Sequence, residues 1–89
     1  MTSAADRILN NGYEDVTIFS DFSYDTALVG VTEDNRAVYD FDLMVEWLVK
    51  NEYFDEMDAI EWIEYNTLRA LPYAGPGAPI VLRRLIDDE

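Results

Sequence analysis

The chain has 89 residues, 49% hydrophobic and 13% aromatic, with no cysteine or histidine, and its 19 acids and six bases leave a net charge of −13. Apolar content of this size builds one core, so a single domain over residues 1–89 is expected and disorder by composition is excluded. Without cysteine and histidine there is no disulfide, no thiolate nucleophile, no usual zinc ligand and not the commonest general base, and the charge turns the chain away from nucleic acid and anionic membranes.

The first residues, MTSAADRILNNG, lack a basic start followed by an apolar run, so no signal peptide is expected. No window approaches the length of a membrane span, and a cytoplasmic protein that makes no membrane contact is expected. Ser3 is placed to cap a short N-terminal helix over Ala4–Asn10, with Gly12 as its stop. EDVTIFS (Glu14–Ser20) alternates and is β-branched, so it predicts a strand with Val16 and Ile18 on one face. DFSYD (Asp21–Asp25) predicts a turn. TALVGV (Thr26–Val31) and RAVYDF (Arg36–Phe41) predict two strands joined by TEDN (Thr32–Asn35), whose Asp and Asn suit a tight hairpin.

Asp40 or Asp42 is placed to cap a helix over Leu43–Asn51. Its apolar residues Leu43, Met44, Val45, Trp47, Leu48 and Val49 cover most of the helical wheel, while Glu46 and Lys50 form an i, i+4 pair. Such a helix is buried on several sides or faces a second subunit. Asp55 opens the next helix, from Glu56 to about Ala70, with Ala59, Ile60, Ile63, Thr67, Ala70 and Leu71 on a core arc. Asp58, Glu61, Trp62, Tyr65 and Arg69 lie opposite, and Glu64 projects toward the edge of the arc, where partial burial and an arginine or backbone partner are expected. LPYAGPGAP (Leu71–Pro79) predicts an irregular connection, and IVLRRLI (Ile80–Ile86) a last strand. The sum is an α+β fold: a three- to four-stranded antiparallel sheet with two main helices on one face and a short N-terminal helix.

No nucleophile elbow, phosphate loop or dinucleotide fingerprint occurs, which makes an enzyme the unexpected class. Asp40 with Asp42, Asp21 with Asp25, and Glu33 with Asp34 are the acid pairs that could reach a divalent cation; none has an EF-hand spacing, and neither metal nor cofactor is expected. Six tyrosines stand in the chain, several beside an acid, as in Glu52-Tyr53 and Glu64-Tyr65. A ring beside a carboxylate suits the binding of lysine or arginine, although tyrosine also commonly rims a small core. A compact chain of this length is roughly 30 Å across, and the same length of B-DNA carries on the order of 18 phosphates. The net charge is thus of the right order to imitate a nucleic-acid backbone.

SYDTALVGVTEDNRAVYDFDLMVEWLV (Ser23–Val49) and AIEWIEYNTLRALPYAG (Ala59–Gly75) resemble a group of short acidic, mostly uncharacterised proteins encoded by bacterial phages and conjugative elements. The resemblance implies a mobile-element setting, in which small acidic proteins often act as anti-restriction or anti-CRISPR factors. It transfers no functional residue. The expectation is a non-enzymatic interaction protein that binds a basic nucleic-acid-binding protein as a mimic of its ligand, through Asp55, Asp58, Glu61 and Tyr65 with Trp62 as an anchor. The alternative is a small regulatory or structural module that forms a homodimer through Met44, Trp47 and Leu48, its acidity serving solubility or salt tolerance.

Overall fold

The computed structural model of the protein describes residues 3–20 and 22–86. The Ser3 hydroxyl accepts the Asp6 N–H at 3.1 Å and opens helix α1, Ala4–Asn10, which ends before Gly12 at φ +87°. Residues 14–20 follow without regular structure, not as the predicted strand. Asp15 adopts φ +60°, which breaks an extended run at its start. Within 14–20, the Phe19 N–H meets the buried Tyr39 hydroxyl at 3.1 Å, and no ladder forms. Asp21 of the expected turn lies outside the described residues, and Phe22–Ala27 form a 3-10 helix.

Strands β1 (Leu28–Val31) and β2 (Ala37–Asp40) pair antiparallel around the Thr32–Asn35 turn. In that turn Asn35 takes φ +63°, and the Thr32 N–H donates to the Arg36 carbonyl at 2.8 Å. Asp40, not Asp42, caps helix α2 (Phe41–Asn51), accepting the Leu43 N–H at 3.2 Å. Helix α3 (Glu56–Asn66) starts at Asp55, whose side chain accepts the Asp58 N–H at 2.8 Å. The helix stops short of the predicted Ala70, because Pro72 has no N–H and its ring would clash with the Leu68 carbonyl in an α-helix. A tighter 3-10 helix over Leu68–Tyr73 replaces that last turn. The change of pitch leaves Ala70 exposed, although the α-helical wheel set it on the core arc.

Strand β3 is shorter than predicted, Ile80–Leu82, and pairs parallel with β2. The α+β class and a sheet of three strands, in the order β1-β2-β3, are as expected, but the sheet is mixed, not antiparallel, and α3 packs chiefly on α2 and not on the sheet face. A parallel partner needs a crossover of a dozen or so residues, and α2 and α3 supply it. Helix α2 packs on the first 3-10 helix, on α3 and on β2, which explains its all-round apolar sequence. Tyr39, Met44 and Ile63 are the largest fully buried side chains, surrounded by Ile8, Tyr24, Leu28, Phe41 and Leu48. The described residues measure 36 × 32 × 30 Å.

Candidate functional site

The turn between α2 and α3 and the outer face of α3 carry the residues predicted to bind a partner. Asp55, Asp58, Glu61, Trp62 and Tyr65 are all exposed. Asp58, Glu61, Trp62 and Tyr65 follow i, i+3, i+4, i+7, so the helix aligns them on one face. Glu52 and Glu56 extend the acidic surface, giving five exposed carboxylates between residues 52 and 61.

All six bases of the chain are described; five are engaged elsewhere, and Arg69 lies on this face. Arg7 donates to the Asp25 carbonyl at 3.2 Å and Arg36 to the Ala78 carbonyl at 2.9 Å. Lys50 pairs with Glu46 at 2.7 Å, and this hydrogen bond, with the lysine charge, holds the Glu46 carboxyl below the usual carboxylate range. Arg83 lies 3.6 Å from Glu64 and 3.9 Å from the Phe41 ring centroid. Arg84 bridges Asp40 at 2.6 Å and Asp42 at 4.0 Å. Arg69 stacks on Tyr65, 4.8 Å from its centroid. Among the described residues, the carboxylates of Glu52, Asp55, Glu56, Asp58 and Glu61 form no ion pair.

Local helix physics accounts for part of this surface. Asp55 is a cap, and Glu56 and Asp58 sit in the first turn of α3, where the helix dipole favours acids. It does not account for Glu52, the C-cap of α2, where the dipole disfavours an acid. Nor does it account for Tyr53, whose ring the sequence sets beside Glu52 but which lies outside the predicted binding set. Tyr53 takes φ +60° at the position after the C-cap, where glycine is the usual occupant, and its side chain is 91% exposed. The signal was present in the sequence: a helix stop in which an aromatic stands where glycine belongs. Two successive exposed residues thus depart from local preferences.

Trp62 is 48% exposed and packs edge-on against Phe54 at 5.6 Å. Its other neighbours form a groove of about 430 Å³ between residues 17–20 and the α3 and 3-10 segments. Glu64 has the arginine partner that its position predicted, but it is exposed, not partly buried, because the neighbouring Ile60, Leu68 and Leu71 are themselves only half-buried.

The surface expected to mediate dimerisation is offered only in part. Met44 and Leu48 are buried in this chain's own core, and Trp47 is half-buried. Asp40 and Asp42, the acid pair at a strand end, converge on Arg84, and no group of three or more acids among the described residues is arranged to hold a metal ion. Burial pushes the Asp40 carboxyl up, but the Arg84 hydrogen bond, the Leu43 N–H and the arginine charge outweigh it and hold Asp40 below the usual range. No described helix is long and apolar enough to cross a membrane. Comparison with protein-family models, curated proteins and solved structures finds no match, so the function of this face is read from its own chemistry.

Proposed function

We propose that this chain is a non-enzymatic interaction protein that presents the Glu52–Tyr65 surface to a basic nucleic-acid-binding protein, its carboxylates standing in for backbone phosphates. The observation that carries this reading is the set of five exposed carboxylates that form no ion pair among the described residues, while five of the six bases are engaged elsewhere and the sixth, Arg69, stacks on the Tyr65 ring. Asp55, Asp58 and Glu61 recur every third residue, one charge per about 4.5 Å of helix axis. A single DNA strand carries one per about 3.4 Å, so a cleft built for phosphates meets a similar linear density. The ring of Tyr65 already holds the Arg69 guanidinium, the kind of group such a cleft supplies. Glu52 and Tyr53 extend the surface at the expense of local stability, a pattern found at functional sites.

The resemblance to phage and conjugative-element proteins directs the choice of partner to host defence nucleases. The test measures DNA binding by a panel of bacterial restriction and RNA-guided nucleases, with and without the chain. Competition that disappears in the double variant Asp58→Lys, Glu61→Lys is the expected result. Competition that survives the double reversal overturns the proposal.

A further inference from the structure

We propose that the groove beside Trp62 receives an extended, basic segment of a partner protein, which lays an apolar side chain against Trp62 and hydrogen-bonds to the backbone of Val16–Ile18. This rests on the reading of the chain as a protein-binding one, and it names the form of a second contact.

The groove is lined by Ile18, Phe19, Trp62, Ala70, Leu71 and Ala74 among others, and among the described residues no charged one contributes to its lining. Ile18, Phe19 and Leu71 are half-buried, so an apolar occupant would complete their burial. The wall formed by residues 17–20 belongs to the segment whose sequence alternates like a strand but whose backbone has no strand partner. Among the described residues, the backbone of Glu14–Ile18 makes no hydrogen bond, and the segment is held at Phe19 by the Tyr39 hydroxyl. Val16, Thr17 and Ile18 therefore hold unpaired N–H and C=O groups at the margin of an apolar groove, the two components of strand addition.

Charge selects the occupant. Glu14 and Asp15 lead into one wall, and Asp58 and Glu61 lie within one helical turn of Trp62 in the other. The base closest in sequence to the groove, Arg69, lies on the Tyr65 ring. A second copy carries the same −13 and is repelled, as is nucleic acid. A strand alternating bases with apolar residues fits: its side chains point alternately to opposite faces, apolar ones into the groove and basic ones toward the flanking acids.

The test uses the full chain and synthetic peptides of about ten residues: one alternating lysine with leucine and valine, oligolysine of equal length, and the alternating peptide with N-methylated backbone amides. Binding is followed by backbone amide chemical shifts and tryptophan emission. The alternating peptide is expected to bind about tenfold more tightly than either control, with shifts concentrated at residues 15–20 and 62–74. Ala70→Gln, a neutral change at an exposed lining position, should weaken it. Oligolysine binding as tightly, shifts confined to residues 52–61, or indifference to Ala70→Gln would each overturn the inference. A dimer of the chain alone whose interface shifts fall on 15–20 would give the groove to a second copy and overturn it equally. The Asp58→Lys, Glu61→Lys variant in the nuclease assay probes the acidic face alone, so failure of the groove and failure of the proposed function are distinguishable.

Discussion

The Arg84 Nε lies 2.6 Å from Asp40 Oδ2, and the same carboxylate accepts the Leu43 N–H at 3.2 Å. One buried acid, its side chain 7% exposed, thus caps α2 and anchors the chain beyond β3, where β2 and β3 end side by side. The two partners are not equivalent. Asp40→Asn keeps a capping oxygen and frees an arginine that is already half in water, whereas Arg84→Gln leaves a buried carboxylate without its base.

Arg84→Gln is therefore expected to lower Tm more than Asp40→Asn, and Asp40→Ala to cost about 1–2 kcal/mol through the lost cap. The folded Asp40 carboxyl titrates below its ordinary value, so its contribution is complete above the unfolded pKa of about 4. That contribution is lost as the pH falls further, through the folded pKa. Thermal melts between pH 6 and pH 2.5, at about 0.15 M salt, should show a fall below about pH 4 that Asp40→Asn flattens. Identical profiles for the two proteins would remove Asp40 from the acid response.

Tyr53→Gly separates stability from binding. A left-handed conformation costs a non-glycine residue roughly 1–2 kcal/mol, and glycine returns part of that gain through a freer unfolded chain. The variant is expected to be more stable by about 0.5–1 kcal/mol in urea unfolding. Under the proposed function it should also bind a nuclease partner more weakly, because an exposed aromatic beside carboxylates is lost. A variant that is less stable, or that binds as well as the parent, would leave the unusual backbone of Tyr53 without this explanation.

The local signals were the legible ones. Ser3 and Asp55 announce two helices by their capping chemistry, Asp40 or Asp42 announces a third, and Thr32–Asn35 announces the hairpin. What the sequence hid depends on partners distant in the chain. Glu14–Ser20 has the composition of a strand, but Asp15 turns the segment out of an extended path and the buried Tyr39 hydroxyl, not a ladder, holds Phe19. The parallel sense of β3 follows from the passage of the chain through α2 and α3, which no residue of Ile80–Leu82 encodes. On the candidate face the outward set on α3 was readable from periodicity; the groove was not, because its second wall is the segment that failed to become a strand.

Tyr39→Phe tests how that wall is held. The Tyr39 ring is fully buried, and burial raises the pKa of its hydroxyl, although the Phe19 N–H, donating at 3.1 Å, opposes the shift. Removing the hydroxyl leaves a backbone donor without its acceptor, at a cost of about 1–2 kcal/mol. Hydrogen exchange at Phe19 should quicken while the amides of α2 and α3 keep their protection relative to global stability. Uniform loss across all elements would show that residues 14–20 are part of the cooperative core and not an appended segment.

The last expectation concerns how the acidic face acts in time. Exposed carboxylates meet a basic cleft through a field screened over about 8 Å at physiological salt, so they chiefly steer encounter, whereas a buried anchor governs escape. Asp58→Lys with Glu61→Lys should lower the association rate by about tenfold or more and flatten its salt dependence. Trp62→Ala should mainly shorten the lifetime of the complex, since the ring is half-exposed and free to be covered. Both variants should fold. Trp62 loses its edge contact with Phe54, and a lysine in the first turn of α3 opposes the helix dipole by only about 0.3–1 kcal/mol. Stopped-flow or surface-based kinetics across a salt series reads both effects. If the double reversal left the association rate and its salt slope unchanged, the acids of α3 would serve only to cap the helix and keep the chain in solution.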